Sequence, residues 1–408
     1  MKVCLINNLY PPYARGGAEQ VVYKTVHGLL RAGHQVVLIT TSPNGKETVR
    51  EGNLTIYRYR PGNLFFYTNA ERYGFFSRLL WHGLDLFHLA SGKFVCQVLG
   101  REKPDVVHTH NLMGMSFLIP HVIRRLGIRH LHTVHDVQLV EPSGIILKAK
   151  EHSSRYTGLP VRFYTAIMKR LFGSPSIVIS PSQFLSDFYY SRNFFPLSKL
   201  VVVRNPLTMN VVSECASVSS SRIVQTTDNL VPAFQFLYVG QIESHKGVPF
   251  LVDAFRNFLL ENPSAKVELH IVGSGTRLSD IECASQLTPQ IILHGKMERD
   301  SLPDRFAQSD VTIVPSLCYE NSPTVIFESL SFGVPVLASR IEGIAELIQE
   351  GENGFTFLAG NVQSLKEKLV WCLTHRQELG AMQNKTRASV QGLSTEEYIQ
   401  TLVTLYRN

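Results

Sequence analysis

Two glutamates stand eight positions apart in Cys318–Ser339, CYENSPTVIFESLSFGVPVLAS. The polar turn between them, Glu320-Asn321-Ser322-Pro323-Thr324, runs into a helix-type segment that Gly333 closes. Ser322 is a candidate helix cap, and Pro323 is tolerated in a first turn. Backbone N–H groups at such a start lack partners within the helix and attract an anion. Glu328, one turn in, can reach a hydroxyl beside that anion, such as that of a ribose. Glu320, before the turn, can accept hydrogen bonds from a second sugar. The plainer reading is a capped helix flanked by two solvated carboxylates.

A second candidate is FLYVGQIESHKGVPFLVDAF, which reads as strand, loop and helix. Gly240 ends the strand, and Lys246-Gly247 stand at the helix entry, where a lysine can pair with a phosphate. A surface loop lysine is the alternative. The run LHIVGSGT carries Gly273-Ser274-Gly275, the beginning of a dinucleotide fingerprint. Leu278 occupies the third glycine position, so a nicotinamide site is not expected.

Five histidines and a carboxylate form the third group. His108 and His110 share one strand face, His130 and His132 another, and His135-Asp136 follow. A metal site is not expected, because histidines on strands lack a familiar ligand spacing. The preferred reading places His110 and His135 at strand ends lining a cleft. The other three then pack or hydrogen-bond in the core.

These residues need a scaffold. Short apolar, β-branched runs alternate with helix-length segments: KVCLINN, QVVLITT, DVVHTH, RHLHTVHD, SIVISPS and KLVVVRNP, then FQFLYVG, KVELHIVG, IILHGK, DVTIVPS, PVLASR and GFTFLA. Buried parallel strands have this composition, and the pattern occurs twice. The expected fold class is α/β, with two Rossmann-like doubly wound domains facing across a cleft. The expected boundaries are 1–207, a Ser/Thr-rich linker at 208–233, 234–390, and a C-terminal helix in 391–408 that packs back on the first domain.

The 408 residues, 44% hydrophobic and 18% charged, suit a globular chain of two or three domains. The formal charge of +7 admits an anionic membrane or a phosphorylated ligand. Basic residues are too scattered for nucleic acid. The six cysteines are far apart and make no C-x-x-C, which suggests reduced thiols and a cytoplasmic location. The N-terminus does not read as a signal peptide, and no run of 18 apolar residues occurs.

YENSPTVIFESLSFGVPVLASRIEGIAELIQEGENGF resembles the signature of glycosyltransferase family 4. That family has two spaced glutamates, a G-x-P-V strand and a G-G-x-x-E-like turn, here Glu342-Gly343-Ile344-Ala345-Glu346. PPYARGGAEQVVYKTVHGLLRAGHQV is similar to its Gly-Gly-x-Glu loop, and HTVHD and VVRNP fall in the same order. The resemblance covers most of both halves. It implies the two-domain GT-B architecture and retaining, metal-independent transfer from a nucleotide-sugar, which is a co-substrate and not a cofactor.

The resemblance also assigns roles. Glu328 would bind the ribose and Glu320 the transferred sugar. Backbone of Ser322, Pro323, Thr324 and Val325 would lie against the sugar and diphosphate. Lys246 would neutralise the diphosphate, Lys296 would lie near the base, and Gly16 and Gly17 would let the first-domain loop approach the diphosphate. His135 would contact the sugar near its reacting carbon, with His110 and Asp136 on the acceptor side. The family commonly has arginine after the strand glycine. Gln241 stands here after Gly240, and Arg15 is a candidate substitute.

The expected acceptor is a glycan or a lipid-linked saccharide of bacterial cell-surface polysaccharide synthesis, with a UDP- or GDP-sugar as donor. Two segments, from Phe75 and from Lys148, mix apolar, aromatic and basic residues and suggest peripheral contact with anionic lipid at the inner face of the cytoplasmic membrane. The alternatives are a nucleotide-sugar epimerase or hydrolase, and a non-catalytic nucleotide-sugar binding module.

Overall fold

The structure is a computed structural model that describes residues 1–13, 16–209 and 232–408. Arg15 and nearly all of the expected linker lie outside the described residues. The chain forms two compact units. The first comprises Met1–Ile145, His152–Thr208 and Leu393–Asn408; the second comprises Ile146–Glu151 and Met209–Gly392.

In the first unit the strands are β1 (Lys2–Ile6), β2 (Gln35–Thr41), β3 (Glu47–Glu51), β4 (Leu54–Tyr59), β5 (Val106–Thr109), β6 (His130–Thr133), β7 (Ile177–Ser180) and β8 (Lys199–Val202). They form one sheet in the order β3-β4-β2-β1-β5-β6-β7-β8. Neighbours run parallel except β3 with β4; Cys4 on β1, for example, pairs with Val37 and with Val107. Helices cover both faces of such a sheet, which is why Val3–Ile6 is buried throughout. The sequence reading does not include β3 and β4. Side chains of β3 are almost all exposed and polar, and β4 carries Arg58 between two tyrosines, so neither reads as a buried apolar run.

Helix Gly17–Arg31 buries Val21, Val22, Val26 and Leu29 in the core of this sheet. The last helix, Thr395–Arg407, joins the same core through Tyr398, Ile399, Leu402, Leu405 and Tyr406. Its start is a capping box in which the Ser394 hydroxyl accepts the Glu397 N–H. The two helices approach closely at Gly28, where a Cβ would come 2.5 Å from Ile399.

The second unit has β9 (Phe234–Val239), β10 (Val267–Val272), β11 (Ile291–Gly295), β12 (Val311–Val314), β13 (Val336–Ser339) and β14 (Gly354–Phe357). Their order is β11-β10-β9-β12-β13-β14, all parallel. Phe236, Phe255, Phe258, Leu269, Ile271 and Leu365 fill the core between this sheet and its helices, including Val248–Glu261 and Val362–Thr374.

Each sheet has one switch point. In the first the chain steps from β1 to β2, then returns to the other flank of β1 as β5. In the second it steps from β9 through β10 to β11, then returns beside β9 as β12. The crossovers run in opposite directions from β1 and from β9, so the loops after β1 and β5, and after β9 and β12, meet at the switch points, where ligands of open α/β sheets bind.

Leu402 is fully buried in the first core. Leu402→Ala is expected to lower unfolding stability by roughly 2–5 kcal/mol, read by denaturant titration of the full chain.

Candidate functional site

The switch point of the second unit gathers most of the candidates. After β9 the chain makes a short turn, Ser244–Lys246, and enters helix Val248–Glu261 through Gly247. Gly247 has φ +75°, and a Cβ there would meet the Pro315 carbonyl at 1.9 Å, so the Lys246 loop rests directly on the chain leaving β12. The Leu317 N–H donates to the His245 carbonyl at 2.9 Å across the same contact. Lys246 Nζ thereby meets Glu320 Oε1 at 2.5 Å, and the Ser316 hydroxyl donates to that oxygen at 3.0 Å. Burial works against the lysine charge, and the Glu320 carboxylate outweighs it, so the Lys246 pKa is raised.

Thr324–Ser331 is the helix that follows. Pro323 occupies the N-cap position, and no side chain caps the first turn. The expected Ser322 cap is therefore corrected: Pro323, with φ −65° and ψ 121°, sets the entry itself. Thr324 and Val325 supply the first helical N–H groups. At the other end Gly333 has φ +78°, and the Val334 N–H closes on the Ser329 carbonyl at 3.1 Å.

Glu328 is buried on this helix and pairs with Arg299 Nη2 at 2.5 Å. Arg299 was not among the sequence candidates. Lys296 was, but it is exposed beyond β11, and the contact to Glu328 comes from three residues further on. Gly240 and Gln241 are exposed at the end of β9, and the Tyr238 hydroxyl donates to the Gln241 carbonyl at 2.6 Å. The Gly273-Ser274-Gly275 turn buttresses this loop. A Cβ on Gly273 would meet the Gly240 carbonyl at 1.8 Å, and one on Gly275 the Ile242 carbonyl at 2.3 Å.

In the first unit Gly16 and Gly17 follow the β1 loop and open helix Gly17–Arg31, where Glu19 Oε2 accepts the Gly16 N–H at 2.7 Å. The loops after β1 and β5 are laced together by asparagines that the sequence reading passed over. Asn7 Oδ1 accepts the Asn111 N–H at 3.1 Å, and the Asn8 side chain donates to the Met113 carbonyl at 2.9 Å.

His110 and His135 come together, Nδ1 to Nε2 at 3.0 Å. His108 is held by Tyr406 and Thr133, at 2.8 and 2.7 Å, while Thr109 Oγ1 serves both His130 and His132, at 2.8 and 2.9 Å. Asp136 Oδ1 accepts the Gln138 N–H at 2.8 Å. A cavity of about 10 Å³ lies among His110, His132, His135 and Asp136, far too small for a sugar. His135 and Asp136 keep some surface open to solvent although protein packs densely around them.

Two doubly wound, largely parallel sheets, with a half-buried lysine, two glutamates and an uncapped helix start at one switch point, define two Rossmann-like α/β units. Family comparison is specific. Residues 15–210 match the model described as Glycosyltransferase Family 4, and residues 233–375 match Glycosyl transferases group 1. The chain belongs to this glycosyltransferase family and has the GT-B fold. An uncharacterized 42.6 kDa protein in the cps region of Klebsiella pneumoniae is 24% identical over 85% of this chain and 87% of its own length. The lipopolysaccharide 1,2-N-acetylglucosaminetransferase of Salmonella typhimurium is 24% identical over 58% of this chain and 64% of its own. The Anabaena HepE structure in complex with UDP superposes with a TM-score of 0.68 and 16% identity, covering all of both chains.

The buried histidines predict an acid response. Burial holds His108 and His130 down to about 3 and puts His110 and His132 well below the usual range. Below pH 6.5 the unfolded chain takes up protons that the folded chain refuses, so stability falls as pH falls, by about 1.4 kcal/mol per pH unit for each such histidine. Burial raises Asp85 to about 7 and Asp136 to about 6, which acts in the opposite direction. Burial also lowers His135 to about 4, and these five histidines outnumber the two carboxyls. Chemical denaturation between pH 6.5 and 4.5 should therefore show a steep net loss on acidification, reduced in a His130→Asn variant.

Proposed function

We propose that this glycosyltransferase transfers a sugar, with retention at the anomeric carbon and without a metal, from a UDP- or GDP-sugar held on the second unit. The carrying observation is the contact of Lys246 with Glu320 beside the uncapped start of helix Thr324–Ser331. The bond to be broken joins the anomeric carbon to a diphosphate oxygen. Negative charge grows on that oxygen as the sugar becomes oxocarbenium-like. Lys246 and the N–H groups of Thr324 and Val325 oppose that charge from fixed positions, which costs little reorganisation during reaction. Glu320 takes the hydroxyls of the transferred sugar, and Glu328, positioned by Arg299, takes the ribose. Ser322 and Pro323 line the path between them, with Gln241 and Gly240 at the diphosphate and Lys296 toward the base. The HepE complex supports UDP as the first base to try.

First-unit residues complete the proposal. Gly16 and Gly17 admit the diphosphate, His135 contacts the sugar, and His110 and Asp136 serve the acceptor side. No carboxylate nucleophile is assigned; the leaving phosphate takes the acceptor proton in a same-face attack.

The acceptor is proposed to be a lipid-linked saccharide or other cell-surface glycan reached at the inner face of a bacterial membrane. Helix Phe75–Leu86 supports this. It buries only Trp81 and Asp85, its one acidic residue, while Phe76 is 82% exposed, Leu79 60% and Leu80 58%. Trp81 donates to the Phe65 carbonyl and Asp85 accepts the Gly114 N–H, so the helix is fixed with its apolar side outward. Leu159 and Phe163 on helix Leu159–Phe172 are also exposed, beside Arg155, Arg162 and Arg170. Apolar side chains set among cations suit an anionic bilayer. Among the described residues no helix is long and apolar enough to cross a membrane.

Nucleoside diphosphate release from a panel of UDP- and GDP-sugars should require one donor and bacterial membrane lipid extract. Glu320→Gln should cut turnover by at least about tenfold with donor affinity retained, and Glu328→Ala should chiefly weaken donor binding. Release independent of extract would favour an epimerase or hydrolase. Affinity for a donor without release would favour a binding module.

In flotation with phosphatidylglycerol vesicles the chain should rise with the lipid, and Phe76→Ser with Leu80→Ser should abolish that. A failure to float, or a concentration-dependent dimer dissolved by the same substitutions, would overturn the membrane contact and leave sugar transfer untouched.

A further inference from the structure

The segment Ile146–Glu151 belongs to the second unit, although its neighbours on either side in the chain, Ile145 and His152, belong to the first. Within the second unit it pairs with the three residues that precede Glu320. The Tyr319 N–H donates to the Ile146 carbonyl at 2.8 Å, and the Lys148 N–H donates to the Leu317 carbonyl at 2.9 Å. Leu147 and Cys318 face each other in an antiparallel bridge between them.

Leu317 thus has both backbone groups engaged. Its N–H goes to His245, in the lysine loop, and its carbonyl goes to Lys148. Three pieces of chain lie side by side: the Lys246 loop, the Leu317–Tyr319 stretch and the 146–151 strap.

Side chains close the strap from the far side. Lys148 Nζ contacts Glu342 and also Glu151, the latter at 3.0 Å, and it lies 5.8 Å from the centre of the Tyr319 ring. The Tyr319 hydroxyl donates to Glu151. Gly343, next to Glu342, presses against the backbone of Glu320: a Cβ there would come 2.1 Å from the Glu320 carbonyl and 2.8 Å from Asn321 Cα. Glu320 is therefore flanked by the stretch that the strap holds, Leu317–Tyr319, and by the short helix Glu342–Ala345. Lys148 is the residue that ties those two flanks together.

We infer that the 146–151 strap positions Glu320 for sugar transfer, with Lys148 and Tyr319 as positioning residues that touch no substrate. The inference rests on the reading of Glu320 as the group that orients the transferred sugar. Lys148 and Glu342 are each about one-third exposed and Glu151 less, so solvent screens the pairs only in part and they can add to stability as well as to geometry. Geometry matters to rate, because a shift of about 1 Å in a group that orients a reacting centre can cost up to about a hundredfold. The strap is also the one stretch of the first half of the chain, among the described residues, that the second unit incorporates. The first half, where the acceptor is proposed to bind, is thereby joined by continuous backbone to the residues beside Glu320.

The test uses the full chain with Lys148→Ala, Lys148→Arg, Tyr319→Phe and Glu320→Gln, assayed for sugar transfer with the donor and acceptor that the release panel identifies. Lys148→Ala should lower kcat by about tenfold, with donor affinity by calorimetry unchanged within about twofold and the melting temperature lowered modestly at most. Lys148→Arg should restore most of the rate. Tyr319→Phe removes a single hydroxyl and should lower kcat in the same direction while leaving the fold intact. In a double variant, Lys148→Ala should cost much less on top of Glu320→Gln than it does alone, because both act through one group.

A lowered melting temperature with kcat unchanged would overturn the inference and leave the strap a structural tie. A raised donor KM with kcat unchanged would also overturn it and make Lys148 a ligand contact. If Glu320→Gln itself leaves turnover intact, the transferase reading of that residue fails first. If Glu320→Gln is impaired while Lys148→Ala and Tyr319→Phe are not, only the strap inference falls.

Discussion

Each sheet is organised by its return to its own first strand. A parallel strand needs a crossover, crossovers here are right for helices, and two crossovers in opposite directions from one strand leave a gap at its carboxyl end. In the second unit that strand is β9, and its returning neighbour is β12. Lys246 follows one and Glu320 the other, 74 residues apart in sequence and in direct contact in space. In the first unit the same logic places Gly16 after β1 and His110 after β5. The chemistry of the site is thus set by which strands are adjacent before any side chain is chosen.

What can be read from one sequence follows from this. Strands buried on both faces are largely apolar, so β1, β2, β5, β7, β9, β10, β12 and β13 are visible as short apolar runs. β3 escapes because it is a polar edge strand, and β4 because Arg58 breaks the run; that guanidinium donates to Glu47 and to the Pro11 carbonyl, contacts that no local pattern announces. The helix start at Thr324 is legible from its polar turn. Its cap is not, since a proline can fix the entry dihedrals as well as a serine can satisfy an amide. Cys318 reads as part of an apolar strand, yet β12 ends at Val314 and Cys318 lies in the loop beyond, bridged to Leu147.

The partners of the candidate residues were the least legible part. Glu328 and Arg299 are 29 positions apart, Leu147 and Cys318 far more, and His108 reaches Tyr406 at the other end of the chain. Spacing rules describe a single helix or strand and carry no information about such pairs. A buried carboxylate does demand a partner, so the position of Glu328 on an otherwise apolar helix face implies that a cation must come from somewhere. The sequence reading places Lys296 toward the base and does not include Arg299, and only the path of the chain after β11 brings Arg299 to Glu328. The histidines show the same. Their alternation on strands marks them as core groups in need of partners without naming those partners, which are the hydroxyls of Thr109, Thr133 and Tyr406 and one another.

The arrangement around Glu320 also bears on which reaction it suits. A general base needs a carboxylate oxygen open to the proton it will remove. Glu320 Oε1 instead receives both the Lys246 ammonium and the Ser316 hydroxyl. Such a carboxylate is fixed as a hydrogen-bond acceptor, and the same lysine is kept cationic by it. An epimerase or hydrolase would need the opposite balance, a poised base with its counter-charge elsewhere. Under the transferase proposal Glu320 would hold Lys246 in a fixed place, so that the cation need not reorganise as charge grows on the leaving diphosphate.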